Sequence, residues 1–361
     1  MTLTILDMLA DKYEFCCLIP SEGILSKELS ARGIQYILMG DQSLPTGIKG
    51  KKAVFQYGVM TLRSIRKSIK AIKKYDPDIL YSPGPAALPW SAICGVLCKK
   101  PVVWHLHHVF LDGPTKKLIN FCSKWRAVDT IIAVSECVGN QIRNAEGRNK
   151  VKILYNPVDF DKYSNGDRER IIQEIETHFG SIDGHIILGH VALVQNEKKQ
   201  SLVLDIIKRL DDEGKKVIGL FPGECRDQSY LEELNNKANK YSLSEKVWFM
   251  GRRNDIPDLL KVIDVLIIPS SEGFPLAGLE AAAAGVPVAA CNIAGAEEFI
   301  QVSGDGFCFE EDSASSAVEA IKKIIVDREK MIDSGKNFAS AKTYPRYKEE
   351  IKAVFDCVEK R

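Results

Sequence analysis

Short apolar runs alternate along the whole chain with longer amphipathic stretches. In the first half these runs are FCCLIP, IQYILM, DILYSPG, PVVWHLH, TIIAVS and KILYNPV, and in the second half HIILGHVALV, VIGLFPG, KVWFMG, VLIIPS, PVAAC and GFCFE. Near-continuous apolar strands with helices between them are typical of parallel sheets that are covered on both faces. The pattern predicts an α/β protein with two doubly wound, Rossmann-like domains.

The change from one half to the other falls in a polar stretch near residues 158–168. There the chain reads NPVDFDKYSNGDRER, and such a concentration of glycine, asparagine and charged residues is typical of a linker. A chain of 361 residues is also long for a single domain. In open α/β sheets ligands bind at the carboxyl ends of the strands, so two such domains facing each other are expected to enclose a binding cleft.

Composition narrows the class of protein without changing the predicted fold. The chain is 45% hydrophobic and 27% charged, as in ordinary globular proteins. No apolar run approaches the roughly 18 residues of a membrane span, and the first residues, MTLTILDMLADKYEF, lack the basic flank of a signal peptide. The ten cysteines show neither CxxC nor zinc spacing, so we expect reduced thiols in a cytoplasmic protein.

The net charge of +1 hides an asymmetry between the two halves. Residues 1–160 hold 22 Lys+Arg and 13 Asp+Glu, whereas the remaining residues hold 27 and 35. A basic first half beside an acidic second half indicates domains with different partners. Anionic lipid or a diphosphate-bearing substrate would suit the basic half.

The most unusual stretch is PSSEGFPLAGLEAAAAGVPVAA, residues 269–290, in which Glu272 and Glu280 stand eight apart. The pattern predicts a strand VLIIPS, a loop SEGFP and a helix LAGLEAAAA that ends at Gly285. Pro275 is tolerated near the helix start because the amide that it lacks would have no helical partner. The loop therefore lies where the strand-end rule places a ligand.

The helix start has the character of an anion site. The amides of Leu276 and Ala277 would point out of the helix, where the dipole favours a phosphate. Gly273 and Gly278 would keep side chains away from a close ligand. A phosphate or diphosphate is the expected occupant.

The two glutamates suit hydroxyl-rich groups of the same ligand. Glu280, one turn into the helix, would accept two hydrogen bonds from a vicinal diol such as a ribose, and Glu272 would reach another part of the ligand. The alternative is that both are ordinary solvated acids. An acid within a polyalanine helix between two apolar strands needs a reason, however, because such a helix is buried.

These residues resemble the retaining nucleotide-sugar glycosyltransferases of family 4, which have the GT-B fold. The family's E-x7-E stretch, followed by an EA-x-A-x-G-x-PV run, is matched from Glu272 to Val288. LYNPVDFDKY resembles the family's interdomain segment, KVWFMGRRNDIPDLLKVIDVLIIPS its nucleotide-binding strand, loop and helix, IAGAEEFI its glycine loop, and IIAVSECVGNQI an N-domain helix. The resemblance covers nearly the whole chain.

The resemblance implies roles for individual residues. Glu272 would contact hydroxyls of the transferred sugar, Glu280 the ribose and Lys198 the donor diphosphate, and His107 would face the reacting sugar. His105 and His108 compete with His107 for that role, and Lys198 has the alternative of a solvated charge. The implied catalytic residues are Glu272 and His107, and the implied donor-binding residues are Lys198, Gly273, Phe274, Leu276, Ala277, Glu280, Gly251 and Arg252.

No metal and no other cofactor is expected, because helix amides and a lysine can stabilise the charge of a leaving diphosphate. Asp159 and Asp161 spell the DxD of metal-dependent transferases, but they lie in the linker and are interpreted as linker residues. Glu272 and Glu280 as the acid and nucleophile of a glycosidase are a weaker alternative, because those carboxyls normally come from opposing walls of a cleft. The sequence contains no P-loop and no HExxH motif.

Two departures from the family pattern stand out. The family usually has an arginine five residues before the matched lysine, where this chain has Leu193, so the charge of a diphosphate would fall to Lys198, to Lys199 and to the helix start. The chain also begins at LTILDMLADKYEFCCLIP, which resembles the family's first helix. The first strand and its glycine-rich loop are therefore expected to be missing from the N-domain.

The stretch LRSIRKSIKAIKKY, residues 62–75, predicts a basic amphipathic helix. Leu62, Ile65, Ile69 and Ile72 would share one face, with Lys and Arg around the rest. The helix would pack on the sheet of the first domain, and its basic face would also suit an anionic membrane surface. The second basic stretch, GPTKKLINFCSKWRAV, has the same two interpretations. No nucleic-acid-binding motif accompanies the charge, so nucleic acid is not expected.

The expected protein is a retaining glycosyltransferase. It would move a sugar from a UDP- or GDP-linked donor to a glycan or polyprenyl-linked acceptor in polysaccharide or cell-envelope synthesis, in the cytoplasm or on the inner membrane surface. The expected domains are an acceptor-side domain (1–165), a donor-binding domain (166–342) and a last helix (343–361) that crosses back to the first. The alternatives are a sugar-nucleotide epimerase, a phosphorylase, or a non-catalytic protein that binds nucleotide sugars.

Overall fold

A computed structural model describes residues 2–40, 51–110 and 112–360. The chain divides into two compact units. Unit 1 comprises Met1–Val134, Gly139–Leu154 and Lys348–Arg361, and unit 2 comprises Ser135–Val138 and Tyr155–Tyr347. The chain therefore passes from one unit to the other four times.

The strands of unit 1 are all parallel to their neighbours and form two sheets. One sheet has the order β1-β2 and the other β3-β4-β5-β6, so that β1 and β3 are each hydrogen-bonded to one neighbour among the described strands. Their bounds are β1 Cys16–Ile19, β2 Gln35–Leu38, β3 Leu80–Ser82, β4 Val102–Leu106, β5 Val128–Ala133 and β6 Val151–Ile153. The first element in the described residues is a helix, α1 (Thr2–Leu9).

Strand β4 lies in the core of unit 1, and its five side chains are all buried. Trp104 and Leu106 on β4 and Ile131 and Ile132 on β5 have at most 1% of their surface exposed. Burial on both faces explains why these strands read as continuous apolar runs rather than as an alternation. The helices that follow α1 are α2 Ile24–Ala31, α3 Lys51–Tyr75, α4 Leu88–Cys98, α5 Pro114–Ser123 and α7 Ala145–Arg148.

The buried face of α3 differs from the predicted one. Leu62 is 58% exposed, whereas Ser64, Ser68, Ala71 and Ile72 are buried. Helix α3 packs closely against α4, and small side chains allow that approach. The prediction of a helix was correct, but the buried face is rotated from the predicted one: Ile65, Ile69 and Ile72 are half-buried or buried as expected, whereas Leu62 lies outside that face.

The stretch IIAVSECVGNQI, which resembles an N-domain helix of the family, forms less helix than that resemblance implies. Helix α6 covers only Glu136–Gly139, and α7 begins after Asn144, whose side chain accepts a hydrogen bond from the Gly147 amide. Between them the Gln141 side chain bonds to the segment that follows β4. It donates to the His108 carbonyl at 2.9 Å and accepts from the Phe110 amide at 2.5 Å.

Unit 2 contains one parallel sheet of six strands with the order β12-β11-β10-β7-β8-β9. The strands are β7 Ile186–Gly189, β8 Val217–Pro222, β9 Val247–Gly251, β10 Val265–Ile268, β11 Val288–Cys291 and β12 Gly306–Phe309. From β7 the chain builds outward to β8 and β9, and it then returns to the other side of β7 with β10. Strand order thus reverses between β7 and β10, which is the switch point of a doubly wound sheet.

Helices cover the sheet of unit 2, and the central strands β8, β10 and β11 are buried throughout. The helices are α8 Phe160–Ser164, α9 Arg168–Phe179, α10 Gln200–Asp212, α11 Gln228–Lys240, α12 Ile256–Leu260, α13 Leu276–Ala284, α14 Ala294–Ser303, α15 Ala314–Val326 and α16 Arg328–Ser340, with a 3-10 helix at Asn196–Lys198. The predicted strands of the second half are all present at their predicted places.

The last helix, α17, runs over Tyr344–Glu359, and its residues from Lys348 onward belong to unit 1. Within that unit, Asp356 accepts hydrogen bonds from Lys12 at 2.6 Å and from the Tyr13 hydroxyl at 2.9 Å. The Phe355 ring lies 5.6 Å from the Tyr81 ring, centroid to centroid. No helix among the described residues has both the length and the apolar character that a bilayer span requires.

Candidate donor site in unit 2

The switch point of the unit 2 sheet brings two predicted site residues together. Lys198 ends the 3-10 helix that follows β7, and Glu272 lies in the loop that follows β10. Their side chains form an ion pair with 2.5 Å between Lys198 Nζ and Glu272 Oε1. The Ser270 hydroxyl donates to the same oxygen at 3.0 Å. The strand-end rule and the ion pair therefore identify the same place in the sheet.

Both side chains of this pair are about a quarter exposed, 26% for Lys198 and 24% for Glu272. Partial burial makes the ammonium group a stronger partner for an anion than a fully solvated lysine. It also leaves one side of each group accessible to a ligand. The alternative of a fully solvated Lys198 does not describe this arrangement.

Helix α13 begins next to Glu272 with an open amino terminus. Its N-cap residue is Pro275, and no side chain caps the first turn. The first backbone bond of the turn runs from the Leu279 amide to the Pro275 carbonyl, so the amides of Leu276 and Ala277 precede the helical ladder. Such amides favour an anion, and the 42% exposed Leu276 leaves the helix start open to solvent.

The loop before α13 lies against the start of α14. The Gly295 amide donates to the Glu272 carbonyl at 2.9 Å. A Cβ atom added at Gly295 would stand 1.9 Å from the Gly273 carbonyl oxygen, so only glycine allows this approach. Gly273 and Phe274 are both buried, with Phe274 only 5% exposed. These two residues of the implied donor set thus form the packed base of the loop.

The structure gives a different reason for glycine at position 278 from the one predicted. A Cβ atom there would meet the Ile268 side chain at 3.1 Å and the Phe299 ring at 3.2 Å. The glycine therefore lets α13 pack closely on the sheet and on α14. We expected Gly278 to leave space for a ligand, but its contacts indicate a packing role instead.

Glu280 lies on α13 in surroundings that disfavour its charge. Burial raises the pKa of the Glu280 carboxyl, and the neighbouring Tyr163 hydroxyl and Lys162 ammonium partly oppose that rise. A carboxylate held in such surroundings gains more from accepting new hydrogen bonds than a solvated one does. Helix α8, which carries Tyr163, packs against α13.

A cavity of about 260 Å³ lies at the carboxyl ends of β7, β8 and β9. Its lining includes Leu193 after β7, Gly223 after β8 and Arg252 after β9. A Cβ atom at Gly223 would stand 1.7 Å from the Ala192 carbonyl oxygen, so this glycine is required for the two loops to meet. Val191, Ala192, Pro222, Glu224, Arg253 and Ile256 complete the wall.

The two arginines of this wall differ in whether their guanidinium groups are already ion-paired. Arg253 is held by Glu174 and Asp255 at 2.5 and 2.9 Å, and its guanidinium lowers the pKa of Asp255 to about 2. Arg252 is exposed and forms no ion pair with another described side chain. Gly251, at the end of β9, has a φ of +66° that places Arg252 beside the cavity. Arg252 is therefore the cation of this wall that remains available to a ligand.

Lys199, the other candidate for charge compensation, is already engaged. Its ammonium group contacts Glu311 at 2.9 Å and Asp312 at 2.8 Å. The side chain thus serves the acidic loop that follows β12. Lys198 is ion-paired as well, but its partner is Glu272 of the implied donor set, so its ammonium group lies at the candidate site with the α13 amides.

His107 belongs to unit 1, apart from the other predicted site residues, and follows strand β4. Its ring lies 4.0 Å from the ring of His105 and 6.4 Å from that of His108, centroid to centroid. Burial lowers the pKa of His107 to about 4, so its imidazole is neutral at pH 7. His105 is fully buried, and its Nδ1 lies 2.6 Å from the Tyr81 hydroxyl. Of the three histidines, His105 is thereby assigned to the core.

Family models match both halves of the chain. The model described as "Glycosyl transferases group 1" matches residues 172–339, and "Glycosyltransferase Family 4" matches residues 24–162. The chain belongs to the family 4 glycosyltransferases. The resemblance inferred from the E-x7-E stretch is confirmed, and the protein is an enzyme of this class.

Relatives of this glycosyltransferase include proteins named for specific transfer reactions. It is 27% identical over 290 residues to the UDP-Gal:alpha-D-GlcNAc-diphosphoundecaprenol alpha-1,3-galactosyltransferase of Escherichia coli, covering 75% of this chain and 72% of that one. It is also 25% identical over 314 residues to the N-acetyl-alpha-D-glucosaminyl L-malate synthase of Bacillus anthracis, covering 82% and 78%.

Solved structures share the whole fold. Anabaena HepE, crystallised in complex with UDP, matches with a TM-score of 0.81 at 20% identity and covers 99% of this chain and 95% of its own. Sucrose-phosphate synthase from Thermosynechococcus elongatus matches with a TM-score of 0.75 at 13% identity, covering 98% and 91%. The predicted GT-B fold is confirmed.

The glycosyltransferase also carries a buried histidine that sequence reasoning missed. His190 follows β7, is 4% exposed, and its Nδ1 lies 3.0 Å from the Ile267 carbonyl oxygen. Because a carbonyl can only accept, Nδ1 carries the proton. Burial lowers the pKa of His190 to about 4, and the charges of Lys198 and Glu272 reach its ring. His190 could have been predicted from the sequence because it directly follows the apolar residues that form β7.

Asp159 and Asp161 serve the local backbone. The Asp159 side chain accepts a hydrogen bond from the Lys162 amide at 3.1 Å and so caps α8. Asp161 lies in the first turn of that helix. Among the residues that the structure describes, no group of three or more His, Cys, Asp or Glu side chains is arranged to hold a metal ion.

Proposed function

We propose that this glycosyltransferase takes a nucleotide-diphosphate sugar as donor and transfers the sugar with retention of its anomeric configuration. The acceptor is a glycan or a polyprenyl-linked glycan of cell-envelope or polysaccharide synthesis. The observation that carries the proposal is the Lys198–Glu272 pair at the switch point, beside the uncapped start of α13. These groups are a cation, a carboxylate and free amides at one edge of a sheet, which suit a diphosphate and a sugar.

The donor would lie along the carboxyl edge of the unit 2 sheet. Its diphosphate would take the Lys198 ammonium and the amides of Leu276 and Ala277, its ribose would bond to Glu280, and its base would enter the cavity beside Arg252. Glu272 would then accept hydrogen bonds from hydroxyls of the sugar. The Escherichia coli relative named for UDP-Gal and HepE crystallised with UDP-glucose favour UDP as the nucleotide, whereas a Mycobacterium tuberculosis relative named as GDP-mannose-dependent favours GDP.

The reaction joins the acceptor oxygen to the anomeric carbon of the sugar while the bond from that carbon to the diphosphate breaks. The acceptor hydroxyl releases one proton, which passes to solvent, and the nucleoside diphosphate leaves with the negative charge. Lys198 and the helix amides stabilise that charge as it develops, which lowers the barrier to cleavage. Retention requires the acceptor to approach from the face that the diphosphate leaves, and this part of the proposal follows from the E-x7-E motif.

His107 is the proposed contribution of unit 1 to the reaction. A neutral imidazole can accept or donate a hydrogen bond at a sugar hydroxyl without introducing a second positive charge. Its low pKa predicts that activity does not depend on His107 protonation between pH 6 and 8. The basic charge of residues 1–160 suits a phosphate-bearing acceptor. The Escherichia coli relative is named for a diphosphoundecaprenol acceptor, which favours a polyprenyl carrier.

Nucleotide binding is the first test. UDP and GDP are titrated into the wild type and into Glu280→Ala, with Glu319→Ala as a matched control on the exposed surface of α15. Binding of one nucleotide is expected, weakened about tenfold in Glu280→Ala by loss of the ribose hydrogen bonds and unchanged in the control. A wild type that binds neither nucleotide, or an equal loss in both variants, would contradict the donor proposal.

Turnover is the second test, and it separates the transferase from its alternatives. The wild type should release the nucleoside diphosphate from a nucleotide sugar, faster with an acceptor present, and the product should keep the donor's anomeric configuration by NMR. Glu272→Gln is expected to lower the rate while leaving UDP binding intact. Binding without release would favour the non-catalytic protein, and an epimerised donor would favour the epimerase.

The proposal includes a membrane-facing surface on unit 1. Helices α4 and α5 expose large apolar side chains, namely Val96, Leu97, Leu118 and Phe121 at 50, 62, 39 and 53%. Lys99, Lys117 and Lys124 are exposed on the same helices or directly after them, and the Lys124 ammonium lies 4.8 Å from the centre of the Phe121 ring. Apolar side chains with lysines around them suit the interface of an anionic bilayer.

Co-sedimentation with vesicles tests that surface. The wild type should sediment with vesicles of phosphatidylglycerol more than with those of phosphatidylcholine, and added salt should weaken the binding. Leu97→Ser with Phe121→Ser should reduce binding about thirtyfold or more, because each serine removes roughly 1 kcal/mol or more of apolar transfer energy. Val326→Ser, which changes an 82% exposed valine of unit 2, is the control. Equal losses in both proteins would contradict the assignment.

A further inference from the structure

Glu298 on helix α14 is a buried carboxylate with three donors. It is 9% exposed, and its two oxygens accept hydrogen bonds from the Glu136 and Cys137 amides, each at 2.7 Å, and from the Tyr155 hydroxyl at 2.9 Å. None of these three donors carries a charge. A buried carboxylate is costly unless it is satisfied in this way, so the arrangement needs an explanation beyond surface charge.

The first of two connections from Glu298 runs through residues 135–138. This segment belongs to unit 2, although the residues before and after it in the chain belong to unit 1. Glu298 holds its amides, while the fully buried Ser135 hydroxyl accepts from the Val138 amide at 3.1 Å and donates to the Gly273 carbonyl at 2.7 Å. The carboxylate thereby fixes the turn at residues 135–138, and Ser135, the first residue of that turn, is hydrogen-bonded to Gly273.

The second connection runs through Tyr155. The hydroxyl bonds to Glu298, and the ring lies 4.9 Å from the Phe274 ring, centroid to centroid, at an angle of 48°. Phe274 is 5% exposed and also contacts the Phe299 ring at 5.7 Å. The two connections from one carboxylate thus end on Gly273 and Phe274, which are adjacent in the chain.

We propose that Glu298 is a positioning residue of the donor site. It holds Gly273 and Phe274, and these set the Glu272 side chain before them and the first amides of α13 after them. The role in catalysis rests on the proposed function, whereas the fixing of the loop does not. Glu298 touches neither donor nor acceptor in this scheme, so it acts only through the geometry of residues 272–277.

Glu298→Gln is the variant that tests the loop directly. The carboxamide has one accepting oxygen where the carboxylate has two, so at least one of the three hydrogen bonds is lost and an N–H faces another donor. Amide hydrogen exchange of the peptide that spans residues 272–280 is expected to become about tenfold faster. Exchange reports local opening, so this readout needs no ligand and no activity.

Glu297→Gln is the matched control, because Glu297 is the preceding residue of the same helix and its side chain accepts a hydrogen bond from the Gln301 side chain at 3.2 Å rather than from residues 135–155. Ile207→Val, a buried substitution on α10, controls for a general loss of stability. Neither control should change exchange in residues 272–280. If Glu298→Gln and Ile207→Val raise that exchange equally, Glu298 is merely a stabilising residue and the proposal is wrong.

The two connections are then separated by Ser135→Ala and Tyr155→Phe, which remain informative if Glu298→Gln fails to fold. Each should raise exchange in residues 272–280 less than Glu298→Gln does, and Glu298→Asp should restore part of the protection. The Kd for UDP should rise about tenfold in Glu298→Gln and less in the single-connection variants. Unchanged exchange in all of them would overturn the proposal.

The readouts also distinguish the two levels of inference. If the wild type binds neither UDP nor GDP but Glu298→Gln loosens residues 272–280, the proposed function fails and the positioning role stands. If UDP binds to the wild type and Glu298→Gln changes neither exchange nor affinity, the donor site stands and the role of Glu298 fails.

Discussion

Unit 2 places its six strands in one sheet that reverses between β7 and β10, whereas the described strands of unit 1 form two sheets whose neighbours follow chain order. The reversal splits the loops at the carboxyl edge and leaves room for Lys198 and Glu272 to meet. The four-stranded sheet of unit 1 has no such break, and its histidines pack against one another and against Tyr81. The reversal in unit 2 thus gathers a cation and a carboxylate at one strand edge, whereas the strand ends of the four-stranded sheet gather histidines.

The largest expected effect comes from the lysine at the reversal. Lys198→Ala should lower transfer about 100-fold, as when one donor to a developing anion is removed, and should weaken UDP binding. Lys199→Ala is the neighbouring control, because its ammonium already serves Glu311 and Asp312. Initial rates and calorimetric titration provide the measurement. Equal losses in the two variants would mean that the switch point does not distinguish the lysines.

The next effect concerns the close approach of two loops of unit 2. Gly223→Ala would place a methyl group 1.7 Å from the Ala192 carbonyl oxygen, so the loops must separate. We expect a loss of about 3 kcal/mol in the free energy of unfolding by urea titration, together with weaker UDP binding. Gly113→Ala in unit 1, where no heavy atom lies within 4 Å of the new Cβ, should change neither.

A buried acid of unit 2 provides a pH-dependent effect. Asp305 is fully buried, neither of its carboxyl oxygens has a hydrogen-bond partner, and burial raises its pKa well above the usual range. The native state therefore keeps a proton that the unfolded state releases above about pH 4. Stability should fall with rising pH by up to about 1.4 kcal/mol per pH unit from this residue alone, until the native carboxyl also ionises.

Asp305→Asn should remove that slope, since the amide does not titrate. Urea unfolding of the wild type and the variant at several pH values from 4 to 8 gives the difference. The free energy of unfolding of the variant, relative to that of the wild type, should increase as the pH rises. Parallel curves would show that Asp305 is ionised in the native protein.

The smallest effect belongs to the histidine cluster of unit 1. Tyr81→Phe removes the hydroxyl at 2.6 Å from His105 Nδ1, and His105 Nε2 has no partner in the described structure. We expect a loss of about 1 kcal/mol in the free energy of unfolding and no change in UDP binding. A change in UDP affinity would contradict the assignment of donor binding to unit 2.

The helix of the E-x7-E stretch could be predicted from the sequence because the signals that fix its ends are local. Helix α13 begins at Leu276 and ends before Gly285 as the pattern indicates, since proline and glycine fix both ends. Strands buried on both faces were equally readable, because continuous apolar runs have one common explanation.

The missed features depend on contacts between distant residues. The buried face of α3 carries Ser64 and Ser68 because α4 comes close, and no apolar spacing records that approach. The bonds of Glu298 to Glu136 and Cys137 join residues more than 160 positions apart. The engagement of Lys199 and the packing role of Gly278 likewise require the folded neighbours.

The membership of residues 348–361 in unit 1 has a consequence for how the chain folds as it is made. Residues 155–347 are continuous in sequence, so nearly all of unit 2 leaves the ribosome before unit 1 has all of its parts. Until the last helix emerges, Lys12 and Tyr13 lack Asp356, and Tyr81 lacks Phe355. Although domains usually complete in order from the amino terminus, here unit 2 has its continuous segment before unit 1 has residues 348–361.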